Sequence, residues 1–167
     1  MPSARIPSPL GDLLLVAEGG ALTGLYVADH PRCVARDDEA ADDSEAFSDA
    51  RRQLEEYFAG ERTGFDLRLE PRGTPFQRRV WYAVLAIPYG CTTTYGEIAR
   101  RIDSPNSARA VGAANGRNPI SLIIPCHRVI GAGGGLTGYG WGTDVKAWLL
   151  RHDQAAPSPN DHGEETG

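Results

Sequence analysis

The chain has few cysteines, no long apolar run and no apolar leader, and each absence excludes a class. Three cysteines (Cys33, Cys91 and Cys126) in 167 residues are an odd number and too few for a disulfide scaffold, which points to a reducing, cytoplasmic setting. No apolar stretch approaches the ~20 residues that span a bilayer. The start, Met1-Pro2-Ser3-Ala4-Arg5, leads into Pro7 and Pro9 rather than a signal-peptide core. With 41% hydrophobic and 23% charged residues, the rest has the balance of a globular protein of one domain, or of two small ones sharing a core.

Acidic charge dominates overall, at −5, but it is unevenly placed. Residues 1–70 carry 7 Arg against 15 Asp and Glu, a balance of −8. Residues 71–154 carry 10 Lys and Arg against 4 acids, a balance of +6, and residues 155–167 hold three acids. Such asymmetry is a hint that the basic part binds a polyanion, with the acidic part facing away from it.

The N-terminal part reads as a small α+β unit without an obvious chemical group. Leu13–Ala17 and Leu22–Val27 flank Gly19-Gly20 as a hairpin. An acidic, Ala-rich stretch from Asp37 to Asp43 reads as solvated. Phe47, Ala50, Leu54, Tyr57 and Phe58 fall at helical spacing within Glu45–Ala59, before Gly60. Phe65, Leu67 and Leu69 then alternate with polar residues, as in a half-buried strand. His30 and Cys33 supply half of a metal-ligand set; no further His or Cys lies in residues 1–70, so no metal site is expected.

Pro71–Gly73 reads as a linker between units at 1–70 and 71–154, with a disordered tail from 155. Thr74-Pro75-Phe76-Gln77 is a capping-box helix start, and Phe76, Val80, Val84 and Leu85 form one apolar face. A second capping box, Thr94 to Glu97, opens a short helix through Ile102. Asp103-Ser104-Pro105-Asn106 makes a turn, and Ser107 caps a third helix from Ala108 to Gly116. The pair has the pattern of a helix-turn-helix. Its second helix is built of Ala108, Ala110, Gly112, Ala113 and Ala114, with Arg109 near its start, a composition suited to close approach to a nucleic-acid groove.

An apolar run, Ile120–Ile124, ends in Pro125-Cys126-His127-Arg128-Val129. A thiol at the end of a buried segment, followed by groups able to donate hydrogen bonds or positive charge, is the pattern of an activated cysteine. A buried, inert thiol is the commoner fate of this residue. The glycines between Gly131 and Gly142 do not make a nucleotide loop, because the third glycine of such a motif is replaced by Leu136. Cys91 reads as an unreactive loop thiol.

Pro125-Cys126-His127-Arg128-Val129, together with Arg109-Ala110-Val111-Gly112, Asn118-Pro119 and Gly138-Tyr139-Gly140, resembles the O6-alkylguanine-DNA alkyltransferases, from about Thr74 to Asp153. The resemblance implies an α+β fold: a small ribonuclease-H-like N-terminal domain and a mainly helical C-terminal domain with a helix-turn-helix. It implies a suicide transfer of the alkyl group from O6-alkylguanine, and in some cases O4-alkylthymine, to Cys126. His127 would take the thiol proton through a water, Asp153 would orient His127, Tyr95 would assist the leaving base, and Asn118 would hold the thiol in register. Asp153 stands where the family has Glu, so either the helix end comes closer to His127 or the relay weakens.

The resemblance further implies double-stranded DNA bound through the minor groove, Arg109 replacing a flipped base, and close contacts from Tyr95, Gly96, Ser104, Ala108, Gly112, Ala113 and Ala132. Tyr139, Gly140, Trp141 and Val129 would line the base pocket. Trp141, where many relatives have a small residue, would narrow it. No cofactor is implied, and the protein is expected to act as a cytoplasmic monomer, with cooperativity on DNA left open. A non-catalytic lesion binder lacks an acceptor thiol, which Cys126 supplies. A transcription regulator would need a regulatory domain that is not visible, and a cysteine hydrolase would need turnover and an oxyanion hole.

Overall fold

The computed structural model describes residues 3–27, 47–135, 139 and 141–155. The expectations for His30 and Cys33, the acidic stretch Asp37–Asp43, Gly138, Gly140 and the tail from 156 fall outside these residues.

Three antiparallel strands, β1 (Ser3–Ile6), β2 (Leu13–Glu18) and β3 (Ala21–Val27), form a sheet in the order β1-β2-β3. Gly19 and Gly20 both take positive φ, +62° and +85°, as a two-residue hairpin turn matching the strand twist requires. The hairpin agrees with the sequence pattern. Strand β1 was not legible, because four residues beside two prolines give no alternation; pairing with β2 makes it a strand.

Helix α1 (Ser48–Phe58) buries Ala50, Gln53, Leu54 and Tyr57. The expected strand at Phe65–Leu69 is corrected to an extended segment with one parallel bridge, Leu22 to Leu69. The reason is a side chain. Gln53 of α1 donates to the Asp66 carbonyl at 3.1 Å and accepts from its N–H at 2.8 Å, occupying groups that a neighbouring strand would have taken. The free edge of β3 is also used further along: Leu25 N–H donates to the Pro119 carbonyl at 2.8 Å, which ties the sheet to the loop leading to Cys126.

The C-terminal part is built from α2 (Pro75–Leu85), α3 (Tyr95–Arg101), α4 (Ala108–Gly116) and α5 (Thr143–Ala155), with a two-residue parallel pair, β4 (Thr93–Thr94) and β5 (Val129–Ile130). The Thr74/Gln77 capping box of α2 forms in both directions. Val80, Trp81 and Val84 are buried, and Trp81 Nε1 donates to the Ala114 carbonyl at 2.8 Å, fixing α4 on α2.

Two expected caps are corrected. Thr94 accepts from Glu97 N–H at 3.1 Å, but the Glu97 carboxylate turns outward to Arg100 and Arg101, so the box is half made. Ser107 occupies the N-cap of α4 without a side-chain cap, since its φ and ψ of −109° and 24° are not extended. The turn between the helices closes by another device. Ser104 N–H bonds to Ala99 O at 2.8 Å and Asp103 N–H to Arg100 O at 3.0 Å, with Asp103 at φ +62°, a Schellman motif in which aspartate stands where glycine is usual.

Candidate active site

The loop from Asn118 to Cys126 is fixed largely by one side chain. Asn118, one residue past the C-cap of α4, accepts from Ile120 N–H at 2.9 Å through Oδ1. Its Nδ2 donates to the Ile124 carbonyl at 2.9 Å and to Cys126 Sγ at 3.1 Å. Within this loop Leu122 is buried at φ +79°, a conformation a leucine adopts only under constraint, at about 1–3 kcal/mol. Pro125, at φ −79° and ψ 63°, then forms an inverse γ-turn, with Cys126 N–H on Ile124 O at 2.7 Å. That turn starts the 3₁₀ segment Cys126–Arg128 and seats the thiol in the interior, fully buried.

Burial pushes the Cys126 thiol pKa up, opposed by hydrogen bonds with Asn118 and Ser121 and by the positive charge of Lys146. This corrects the assignment of the activating groups. Arg128 faces away, with Nε on Asp153 Oδ2 at 2.9 Å and Nη1 on the Ile87 carbonyl at 3.1 Å. His127 directs Nε2 to Asp153 Oδ2 at 2.9 Å and leaves Nδ1 buried without a partner among the described residues. Burial lowers the His127 pKa, against the hydrogen bond and charge of Asp153. The neutral ring with Nε2–H toward Asp153 presents Nδ1 as a proton acceptor.

Asp153 settles the question raised by its shorter side chain: near the end of α5, it reaches His127. Burial alone would raise its pKa, but the hydrogen bond and charge of His127, the charge of Arg128 and the hydroxyl of Tyr57 hold it down at about 2. Tyr57 belongs to α1 and donates to Asp153 Oδ1 at 2.5 Å.

Lys146, the chain's only lysine, is likewise buried at this site. Its Nζ donates to the Val129 carbonyl at 2.5 Å and to Tyr95 Oη at 3.5 Å, and lies 5.8 Å and 6.0 Å from the ring centroids of Tyr95 and Tyr139. Burial lowers its pKa to about 8 despite the opposing influence of Cys126. Tyr57, Ser121 and Lys146 were missed in the sequence. Each sits in an ordinary helical or loop pattern, and only the tertiary packing reveals its partner.

The β4–β5 pair explains how Tyr95 reaches the site. Thr93 pairs with Val129 and Thr94 with Ile130, so α3 starts directly after the pair, and Lys146 Nζ bridges Tyr95 Oη and the Val129 carbonyl. Tyr95 is half-buried, and its pKa is raised by burial and by Cys126. Tyr139 and Trp141 are both buried and meet edge to face at 6.1 Å, with the Tyr139 hydroxyl unpartnered among the described residues.

On the outer side of the helix pair, Arg109, Ala110 and Ala113 are exposed, while Gly96, Ser104, Ala108 and Gly112 are half-buried. Pro105, Asn106, Ser107, Ala108, Arg109, Ala110 and Ala113 line a shallow surface groove. A Cβ at Gly112 would meet the Tyr95 ring at 3.8 Å, an ordinary contact, so packing inside the protein does not require glycine there. Ala132 is exposed in a tight turn closed by Gly131 N–H on Gly135 O at 2.9 Å. Cys91 is exposed. Among the described residues no helix is long and apolar enough to cross a membrane.

Fold and site define a helix-turn-helix protein whose interior holds one hydrogen-bonded thiol beside a histidine-carboxylate pair. Residues 75–155 match the family described as 6-O-methylguanine DNA methyltransferase, DNA binding domain, and residues 3–71 match the ribonuclease-like domain of the same family. A Methanosarcina acetivorans protein named methylated-DNA–protein-cysteine methyltransferase is 50% identical over 148 residues, covering 89% of this chain and 95% of that one. A Mycobacterium tuberculosis protein of the same name is 53% identical over 150 residues, 90% of each. The crystal structure of Mycobacterium tuberculosis OGT in complex with DNA superposes with a TM-score of 0.84 at 48% identity, over 95% of this chain and 96% of that one. The chain therefore belongs to the 6-O-methylguanine DNA methyltransferase family, and its α+β fold joins a ribonuclease-like domain to a DNA-binding domain.

Proposed function

We propose that this protein repairs alkylated DNA by moving the alkyl group of O6-alkylguanine onto its own Cys126, once per molecule. The observation that carries the reading is the thiol itself: Cys126 is buried, bonded to Asn118 at 3.1 Å, and followed by a His127 whose Nδ1 has no partner among the described residues. Buried polar atoms are normally paired. Among the described residues His127 Nδ1 and the Tyr139 hydroxyl lack partners, and their rings meet edge to face at 6.4 Å, which supports a polar substrate at this point.

In this mechanism His127 Nδ1 accepts the thiol proton through a bridging water, and Asp153 stabilises the imidazolium from the other nitrogen. The thiolate, with Asn118 donating to it and Lys146 nearby, attacks the alkyl carbon. The S–C bond forms as the C–O6 bond breaks, and its electron pair stays with guanine, which takes a proton at N3 from Tyr95. The thioether product has no group to hydrolyse it, so the molecule is spent.

A buried sulfur cannot meet O6 of a stacked base, so the guanine must leave the helix, at a cost of a few kcal/mol. Arg109, exposed at the start of α4, fills the gap, while Ala108, Gly112 and Ala113 let the helix lie in the minor groove and Gly96, Ser104 and Ala132 touch the backbone. Tyr139, Trp141 and Val129 form the base pocket. The test is an oligonucleotide carrying one O6-methylguanine, incubated with equimolar protein and digested to nucleosides. The lesion converts to guanine with wild type and persists with Cys126→Ala; equal conversion by both proteins contradicts the proposal.

A further inference from the structure

We infer that Tyr57, from the N-terminal domain, is a positioning residue for the transfer, acting through Asp153 to hold His127 in its proton-accepting orientation. The inference rests on the reading of Cys126 as alkyl acceptor and extends its machinery across the domain boundary.

Tyr57 lies on the buried face of α1 beside Ala50 and Leu54, a position whose apolar pattern phenylalanine would satisfy. The ring is held at 5.5 Å from Phe58 and from Phe65 and at 4.9 Å from His152. The backbone carbonyl of Tyr57 lies 2.7 Å from His152 Nε2, so α1 grips the end of α5 at two successive residues. Packing therefore accounts for the ring. Among the described residues the hydroxyl is accounted for by Asp153.

The two oxygens of Asp153 have separate duties. Oδ2 serves His127 and Arg128, both at 2.9 Å, and Oδ1 takes its hydrogen bond from Tyr57. Without that hydroxyl, Oδ1 is a buried acceptor with nothing to fix the plane of the carboxylate. Arg128 pairs with the same Oδ2 as His127 and so does not by itself fix that plane. Aspartate has one methylene fewer than glutamate and less freedom to compensate, which makes the tyrosine the natural counterpart of the short acid.

The groups facing Asp153 are His127 and Arg128 from the 3₁₀ turn and Tyr57 from α1, with Tyr89 and Tyr139 close enough to feel its charge; the Arg128 guanidinium lies 5.4 Å over the Tyr89 ring. Replacing Tyr57 by phenylalanine leaves the other four in place and removes one donor from the carboxylate. Asp153 then holds protons more tightly, and so does the imidazole that it stabilises.

The experiment is single-turnover methyl transfer by full-length wild type and Tyr57→Phe at saturating O6-methylguanine DNA across pH. Tyr57→Phe is expected to slow the transfer constant about tenfold. DNA affinity and the final yield per protein should be unchanged, and the acidic limb of the rate profile should move to higher pH. Substitution of 3-fluorotyrosine at 57, a stronger donor of the same shape, should move that limb to lower pH. A wild-type rate constant and pH profile in Tyr57→Phe overturn the inference, whether the yield stays full or drops, because a drop in yield alone means that Tyr57 only holds the fold. No transfer by wild type overturns the underlying reading as well, which separates the two failures.

Discussion

The side-chain amide of Asn118 donates to Cys126 Sγ at 3.1 Å and to the Ile124 carbonyl at 2.9 Å, while its oxygen accepts from Ile120 N–H. One residue thus shapes the loop that carries the thiol and stabilises the charge that the thiol must develop. Asn118→Ala leaves a buried N–H and a buried carbonyl unpaired, at about 3 kcal/mol in total. The melting temperature should fall by roughly 10 °C. Methyl transfer at neutral pH should slow by about tenfold or more even where the variant is fully folded, because the thiol loses a hydrogen bond that holds its pKa down. Thermal melts paired with transfer rates at 20 °C check both.

The acid stability of the protein should carry the signature of Asp153. Its pKa is depressed from 3.8 to about 2 in the folded state, so its contribution is present above pH 4 and lost as the pH falls toward 2. The shift corresponds to about 2 kcal/mol. Between pH 4.5 and 2.5 wild type should lose about 1.5 kcal/mol more stability than Asp153→Asn, measured by urea titration at each pH. Parallel losses in the two proteins would remove the carboxylate from this role.

Arg109 stands exposed near the start of α4, so its removal should touch DNA and not the fold. Arg109→Ala is expected to melt within about 0.5 kcal/mol of wild type while transfer from duplex DNA falls by at least about tenfold. Transfer from free O6-methylguanine base, which needs no flipping, should be unchanged. Comparing the two substrates in one preparation isolates the effect.

Trp141 packs edge to face on Tyr139 at 6.1 Å, beside the proposed base pocket. If it narrows that pocket, Trp141→Gly reacts faster with O6-benzylguanine relative to O6-methylguanine than wild type does. Equal ratios of the two inactivation rates in both proteins would remove the idea.

Patterns with a strong local cause were legible in the sequence. The Gly19-Gly20 hairpin, the Thr74/Gln77 cap and the helix pair all rest on residues a few positions apart. The Cys126-His127 adjacency is local as well, whereas Asp153, 26 positions from His127, was placed only by the family resemblance. What stayed hidden depends on groups far apart in the chain: Gln53 occupying the backbone of Asp66, the two-residue β4–β5 pair, Lys146 under Tyr95 and Tyr139, and Tyr57 meeting Asp153. Arg128 shows the same limit. Its place beside the cysteine suggested a direct electrostatic role, but the 3₁₀ turn aims its side chain at Asp153 instead. Adjacency in sequence gives residue types, and the turn decides which way each one faces.

In the proposed reaction the alkyl group ends on Cys126 and stays there. Intact-protein mass spectrometry after incubation with O6-methylguanine DNA, followed by peptide mapping, should show one added methyl group, on Cys126, with Cys33 and Cys91 unmodified. A protein that binds the lesion DNA but gains no mass, or that carries the methyl group on another residue, contradicts it.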